Sequence, residues 1–314
     1  MTSARKLTVA FLLVALGGSA CGTGDSSDEA RLSVVATTTI LGDVAREIGG
    51  NDATVEVLTP LGADPHDFTA SSSQIATVNR ADLVIANGLG LEEGLHDVLE
   101  AAQSDGVRLF EVAPLLDPLP YEGDEGHEGE SEDEEDHGSL DPHVWLDPLR
   151  MAEAARLIAE RLAEIEPGID WLARADVYGA ELVEVDQEIA VMLSSVQASE
   201  RRLVTNHESM GYFAHRYGFE VIGVVIPGGS TLGDPSSEEL AALVDLIREE
   251  GVRAIFAETT RPSALADAVA GELGEDIEVV GLFTGSLGEP GSGAGTLIGL
   301  LKTNAGRIAE ALGA

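Results

Sequence analysis

From residue 32 onward, short apolar runs alternate with longer amphipathic stretches. Short runs rich in Val, Ile and Leu are typical of strands in a buried parallel sheet, and amphipathic stretches between them are typical of crossover helices. The predicted strands are 32–36, 54–58, 83–86, 107–112, 203–205, 221–226, 254–257 and 279–283. Because they form two groups, we predict an α/β protein of two lobes, each with a central, mostly parallel sheet.

Between the two groups the apolar spacing changes to that of helices. Apolar residues recur at steps of four and three from Met151 to Ile165, which predicts a helix that ends at Pro167. The next segment, 169–199, contains one glycine and no proline and is predicted to be a long helix, a spine that joins the lobes. The predicted boundaries are 31–168 for the N-terminal lobe, 169–199 for the spine and 200–314 for the C-terminal lobe. Such a spine would limit hinge bending.

The first 20 residues have the pattern of a signal peptide, with Arg5 and Lys6 before an apolar run. That run of about ten residues is too short to cross a membrane, which requires about 20. Cys21 is the only cysteine; it ends a stretch, 18–21, that resembles a bacterial lipobox, and it begins a short linker, 21–30. We expect Cys21 to be lipidated and the protein to be exported and anchored to the outer face of the cytoplasmic membrane, in the periplasm or at the cell surface.

The chain is strongly acidic, with 18 basic and 56 acidic residues and a net charge of −38. Such a surface repels nucleic acid and attracts cations, although adaptation to salt explains the charge equally well. Ten of the fifteen residues in 122–136 are acidic, which predicts an acidic loop, 122–140, outside the packed core. His127 and His137 in this loop either collect metal weakly or are incidental to a solvated charge run.

Three of the seven histidines lie in loops of similar character: His66, His143 and His207. The first two belong to Asp-Pro-His triplets, and proline favours turns over helix interiors. In open parallel sheets, loops at the carboxyl ends of strands converge on a ligand cleft, so we expect these loops to meet there. Imidazole nitrogen is a favoured zinc ligand, and three imidazoles leave one position for a carboxylate or water.

A ligating imidazole usually donates its other N–H to a carboxylate or carbonyl. Asp67, Asp147 and Glu208 are the sequence-based candidates for that role. Taken alone, each histidine is more often an ordinary polar loop residue than a ligand. His96 and His215 are interpreted as surface or packing residues.

Five segments together resemble the successive motifs of the cluster A-I metal-binding proteins, the zinc and manganese substrate-binding subunits of ABC importers. They are 37–43 (TTTILGD), 62–68 (GADPHDF), 81–92 (ADLVIANGLGLE), 141–148 (DPHVWLDP) and 207–213 (HESMGYF). The resemblance implies two α/β lobes joined by a rigid helix, with a metal ion in the cleft between them. It also implies a cognate ABC permease in the membrane as partner.

The resemblance places His66, His143 and His207 at three of the family's four ligand positions. Manganese-binding members often have a carboxylate at the third position, so His207 favours zinc, with manganese as the alternative ion. The fourth position is usually an aspartate, where this chain has Gly285. Glu258, at the end of a predicted strand, is our first candidate for a replacement ligand; a helix cap or a bound water are the other interpretations.

The sequence leaves other classes of function open. Three histidines with an open position also suit a zinc hydrolase, but the chain has no His-Glu-x-x-His segment and no nucleophile elbow, so we do not expect an enzyme. A surface adhesin involved in cell adhesion is another alternative, which these residues do not test. We expect a monomer that binds a divalent ion and no nucleic acid.

Overall fold

The computed structural model describes residues 31–121, 140–274 and 277–313. The predicted signal peptide, the lipidation site Cys21, and the acidic loop up to residue 139, with His127 and His137, lie outside these ranges. Within them, no helix is both long enough and apolar enough to cross a membrane.

The N-terminal lobe is built on a parallel sheet with the strand order β2-β1-β3-β4. Its strands are β1 (Leu32–Ala36), β2 (Ala53–Val57), β3 (Leu83–Ala86) and β4 (Leu109–Glu111). Its helices are α1 (Thr39–Gly49), α2 (Ser72–Val78) and α3 (His96–Ser104). The central strand β3 is buried along its whole length, as expected when helices cover both faces of a parallel sheet.

The C-terminal lobe repeats this arrangement with the order β6-β5-β7-β8, again all parallel. Its strands are β5 (Arg202–Thr205), β6 (Glu220–Val224), β7 (Ala254–Glu258) and β8 (Glu278–Leu282). Its helices are α6 (Gly211–Tyr217), α7 (Ser237–Glu250), α8 (Ala264–Leu273) and α9 (Leu297–Gly313). The two-lobed α/β fold predicted from the sequence is confirmed, and each predicted strand is present with bounds that shift by at most two residues.

Two helices lie between the sheets in sequence: α4 (Pro148–Ile165) and α5 (Trp171–Leu193). Asp147 begins α4 by accepting a hydrogen bond from the Leu149 N–H at 2.9 Å. With 23 residues, α5 is about 35 Å long at 1.5 Å per residue and is shorter than the predicted spine. It packs against α4, against α1 of the N-terminal lobe and against α9 of the C-terminal lobe, so it contacts both lobes.

Direct hydrogen bonds also join the two lobes beside the cleft. The Leu297 N–H, at the start of α9, donates to Asp43 of α1 at 2.7 Å. Trp145 donates through its indole nitrogen to the Thr284 carbonyl, also at 2.7 Å. Because both contacts are buried, they favour the closed arrangement of the lobes, with the histidine loops between them.

Candidate metal centre

His66, His143 and His207 meet in the cleft between the lobes, and none is more than 3% exposed. His66 lies in the loop after β2, His207 follows β5 directly, and His143 precedes a short 3-10 turn that leads into α4. The Nε2 atom of His143 is 3.4 Å from Nε2 of His66 and 3.1 Å from Nε2 of His207. All three side chains can therefore direct a nitrogen at one point.

The spacing of these nitrogens suits a tetrahedral ion. Zinc–nitrogen bonds of 2.0–2.1 Å at tetrahedral angles separate neighbouring nitrogens by about 3.3–3.4 Å. The two measured separations, 3.4 and 3.1 Å, are close to this value. Two of the three nitrogen pairs thus stand at the separation that such an ion requires, and all three nitrogens lie within 4.8 Å of one another.

The two Asp-Pro-His triplets form the same local turn. In each, the aspartate Oδ1 accepts the N–H of the histidine two residues later, at 3.0 Å for Asp64 and 2.8 Å for Asp141. Proline fixes the backbone between the two residues, and a short carboxylate side chain is the right length for this bond. The turn holds the backbone of His66 and His143 and directs both side chains into the cleft.

Each imidazole also has a carboxylate near its second nitrogen, Nδ1. Asp141 Oδ1 lies 2.7 Å from His143 Nδ1, and Glu258 contacts His207 Nδ1. For His66, Glu93 Oε1 is 3.4 Å from Nδ1, which is an electrostatic contact without the alignment of a hydrogen bond. Carboxylates in these positions fix the ring orientation and offset the charge of a cation bound at Nε2.

Of the partners expected from the sequence, two lie elsewhere. Asp147 caps α4, and the side chain of Asp67 is 63% exposed, with its carboxylate 3.9 Å from Arg261. The sequence signal for Asp141 was present, because an aspartate two residues before a histidine can reach both the N–H and the ring of that histidine. Glu93 carries no such signal, since it lies far along the chain and is adjacent to a second glutamate.

Glu258 ends β7 and is buried, on the Nδ1 side of His207, away from the three Nε2 atoms. Its other oxygen accepts a hydrogen bond from Thr260 at 3.4 Å. This contact makes Glu258 a supporting partner of His207, and its assignment as a fourth ligand stays a prediction from the sequence. Gly285 lies beside the His66 turn, where an added β-carbon would be 3.0 Å from Pro65 Cδ.

Comparison with known proteins identifies the family of this chain. A family model described as the periplasmic component A of the zinc-uptake complex matches residues 34–311. The chain belongs to this zinc-uptake family. The manganese-binding lipoprotein MntA of Halalkalibacterium halodurans is 31% identical over 307 residues, which cover 96% of each chain.

Solved structures share the fold of this zinc-uptake family member. The periplasmic zinc binding protein TroA from Treponema pallidum is 30% identical, with a TM-score of 0.76 over 90% of this chain and 99% of that one. A zinc-bound ZnuA deletion mutant is 28% identical, with a TM-score of 0.75 over the same shares. The names of these similar proteins thus include both zinc and manganese.

Burial and neighbouring charges set the protonation of the site in this zinc-uptake family member. Burial, with His207 and His66 nearby, holds the pKa of His143 well below 6.5. Burial opposes protonation of His207 as well, but the Glu258 carboxylate outweighs it, so the pKa of His207 is raised. Burial raises the pKa of Asp141 to about 7, and a cation at His143 would favour its charged form.

Asp64 connects the His66 turn to the other lobe. Its Oδ2 accepts hydrogen bonds from Thr231 at 2.5 Å and from Arg261 Nε at 2.7 Å. Burial alone would raise the pKa of Asp64, but the bonds from Thr231 and Arg261 and the nearby His66 outweigh it, so the pKa is lowered. The charged carboxylate therefore joins a turn of the N-terminal lobe to two residues of the C-terminal lobe.

Proposed function

We propose that this chain is the extracytoplasmic substrate-binding subunit of an ABC importer, which captures one zinc ion with His66, His143 and His207 and delivers it to a membrane permease. The observation that carries the proposal is the convergence of three buried Nε2 atoms at the spacing of a tetrahedral zinc site. The names of its relatives, which describe periplasmic or lipoprotein metal-binding proteins, support it. Capture and delivery require no catalysis.

In this proposal the fourth coordination position belongs to water, and Glu258 serves His207 from outside the coordination shell. A buried carboxylate in contact with Nδ1 sets which nitrogen carries the proton and leaves Nε2 free to bind the ion. The fourth position is then the point at which an incoming ligand can replace water during transfer.

Zinc is favoured over manganese because all three protein donors are nitrogens, whereas manganese suits carboxylate and water oxygens. Manganese remains the alternative ion, since similar proteins such as MntA are named for it. Metal analysis of protein purified without chelators, followed by zinc–manganese competition, separates the two. Preferential retention of manganese would contradict the zinc assignment.

Single alanine substitutions test the ligand set. His66→Ala, His143→Ala and His207→Ala should each weaken zinc binding by more than the roughly 10–100-fold that loss of an outer partner costs. His215→Ala, a histidine in α6, is the matched control and should bind as the unaltered protein does. An unchanged affinity in His143→Ala would contradict the proposed site.

We also propose that Cys21 carries the lipid anchor of the exported protein. Two or more acyl chains hold a protein stably on a membrane, whereas one chain gives only marginal binding. Cys21→Ser should therefore release the protein from the membrane fraction, with zinc binding intact. Mass spectrometry that finds an unmodified Cys21 in membrane-extracted protein would contradict this assignment.

A further inference from the structure

A cavity in the described part of the chain borders the histidine cluster at His66. It has a volume of about 330 Å³, and its lining comes from both lobes and includes His66, Glu93, Tyr121 and Ser230. A single ordered water needs only roughly 30 Å³, so the cavity has room for a cation with several of its waters. Of the three clustered histidines, only His66 lines it, so an ion that crosses it meets His66 first.

The rings of the three histidines are not held equally. Buried carboxylates hold His143 and His207 at Nδ1, through Asp141 and Glu258. Within the described residues, His66 Nδ1 has no aligned hydrogen-bond partner, and its nearest carboxylate, on Glu93, belongs to a side chain that is 41% exposed. Because no buried hydrogen bond must break, rotating the His66 ring costs less than rotating either of the others.

A second cavity offers a rival route. It has a volume of about 190 Å³ and lies between Tyr121, Asp141 and Glu208 on one side and β6 on the other. None of the three histidines lines it, and the nearest site residue on its wall is Asp141, which supports His143. An ion taking this route would have to disturb the carboxylate that fixes a ligand.

We propose that ions enter and leave through the 330 Å³ cavity, and that His66 is the ligand that rotates aside during exchange while His143 and His207 stay in place. This inference rests on the proposed zinc site and adds its path and its order of ligand exchange.

Filling the cavity tests the path. In Ser230→Trp, the rate constants for zinc association and dissociation, measured by stopped flow with a fluorescent chelator, should fall together by about tenfold. The dissociation constant should not change, because a narrowed passage raises the barrier equally in both directions. Ser230→Ala removes the serine hydroxyl, which accepts the Leu232 N–H at 3.2 Å and also bonds the Glu93 carboxylate, without adding volume. Much faster exchange in Ser230→Ala than in Ser230→Trp therefore assigns the slowing to the filled cavity and not to the lost hydroxyl.

Two further tryptophans complete the set of controls. Ala241→Trp enlarges an exposed residue at a separate cavity between α7 and α8 and should leave both rates unaltered. Val221→Trp enlarges a residue on the wall of the rival cavity. Slower exchange in Val221→Trp, with unaltered exchange in Ser230→Trp, would overturn the proposed path.

A modification made after folding covers the case in which Ser230→Trp does not fold. The double variant Ser230→Cys, Cys21→Ser has a single cysteine, at the cavity. This protein is loaded with zinc and then labelled with a bulky maleimide. Labelled protein should release zinc about tenfold more slowly than unlabelled protein. Equal release rates would overturn the path. The proposed function fails separately, if the unaltered protein binds no zinc tightly or if His143→Ala keeps full affinity.

Discussion

Residues 64–66 and 141–143 have the same sequence, Asp-Pro-His, and form the same turn, but their carboxylates differ in what else they contact. Asp141 uses one oxygen for both the N–H and the ring of His143. Asp64 uses one oxygen for the His66 N–H and turns the other to Thr231 and Arg261 across the cleft. One carboxylate supports a ligand ring, whereas the other connects a ligand turn to the second lobe.

The difference separates two properties that a transport protein needs. A ring fixed by its own turn contributes to affinity, because the donor is already oriented when the ion arrives. A turn tied across the cleft makes one ligand depend on the closure of the lobes, so it influences the rate of release. The same tripeptide forms both the turn that fixes a ligand ring and the turn that is tied across the cleft. Which of the two roles it has depends on the residues that contact its aspartate.

The largest effect should come from removing the carboxylates one at a time. Asp141→Ala removes the support of both the backbone and the ring of His143 and should weaken zinc binding by about 10–100-fold. Asp64→Ala leaves the contact between the His66 ring and Glu93 in place. It should weaken zinc binding less than Asp141→Ala does, and zinc should dissociate faster. Isothermal titration with a competing chelator measures the zinc affinity of both variants. Equal losses of affinity would contradict the different roles assigned to Asp141 and Asp64.

The next effect concerns protons, which compete with zinc at the imidazoles. Because the pKa of His207 is raised above 6.5, this ring takes up a proton before the His143 ring does as the pH falls, and zinc affinity should drop about tenfold per pH unit below the pKa of His207. Because the pKa of His143 is lowered, the ring next to Asp141 should stay neutral through this range. NMR titration of the metal-free protein follows each ring, and a zinc affinity that is flat from pH 7.5 to 6 would contradict the prediction.

Removing the link across the cleft should have a smaller effect. Arg261→Ala deletes the charged donor to Asp64 and should raise the zinc dissociation rate several-fold, since hydrogen bonds to charged groups contribute about 1.5–3 kcal/mol and this arginine is partly exposed. Arg248→Ala, which removes an exposed arginine of α7 paired with Asp245, is the control and should not alter the rate. Faster release in both variants would point to a general loss of stability.

The sequence predicted the strands well because buried parallel strands are short and uninterrupted apolar runs, as in 83–86. Two of the three histidines were marked by the repeated Asp-Pro-His triplet, which forms its own turn through local hydrogen bonds. His207 has no such triplet and was predicted from its position after a strand and from the family resemblance. Contacts between loops that are distant in sequence could not be predicted. Arg261 reaches Asp64 only after both lobes have folded, and no local pattern marks either the pair or the helix α9 that packs on α5.

Glu258 is a second residue whose tertiary contacts the sequence could not predict in full. Its position at the carboxyl end of a strand correctly placed it near His207, but the sequence could not tell which ring nitrogen it would face. That choice depends on the rotation of the imidazole, which is fixed by packing in the closed cleft. Ligand and supporting partner therefore look alike in the sequence.

The smallest effect should come from the half-exposed carboxylate beside His66. Glu93→Gln keeps the shape of the side chain, so the affinity for zinc should stay within about twofold, because exposed charges contribute about 0–1 kcal/mol. Its charge attracts cations to the cavity, so the association rate should fall by about threefold at low ionic strength and recover at high salt. Glu111→Gln, at the end of β4, is the matched control, because this glutamate does not line the cavity. If Glu93→Gln instead weakened binding as much as Asp141→Ala does, Glu93 would be a full structural partner of His66, and the two Asp-Pro-His turns would support their rings alike.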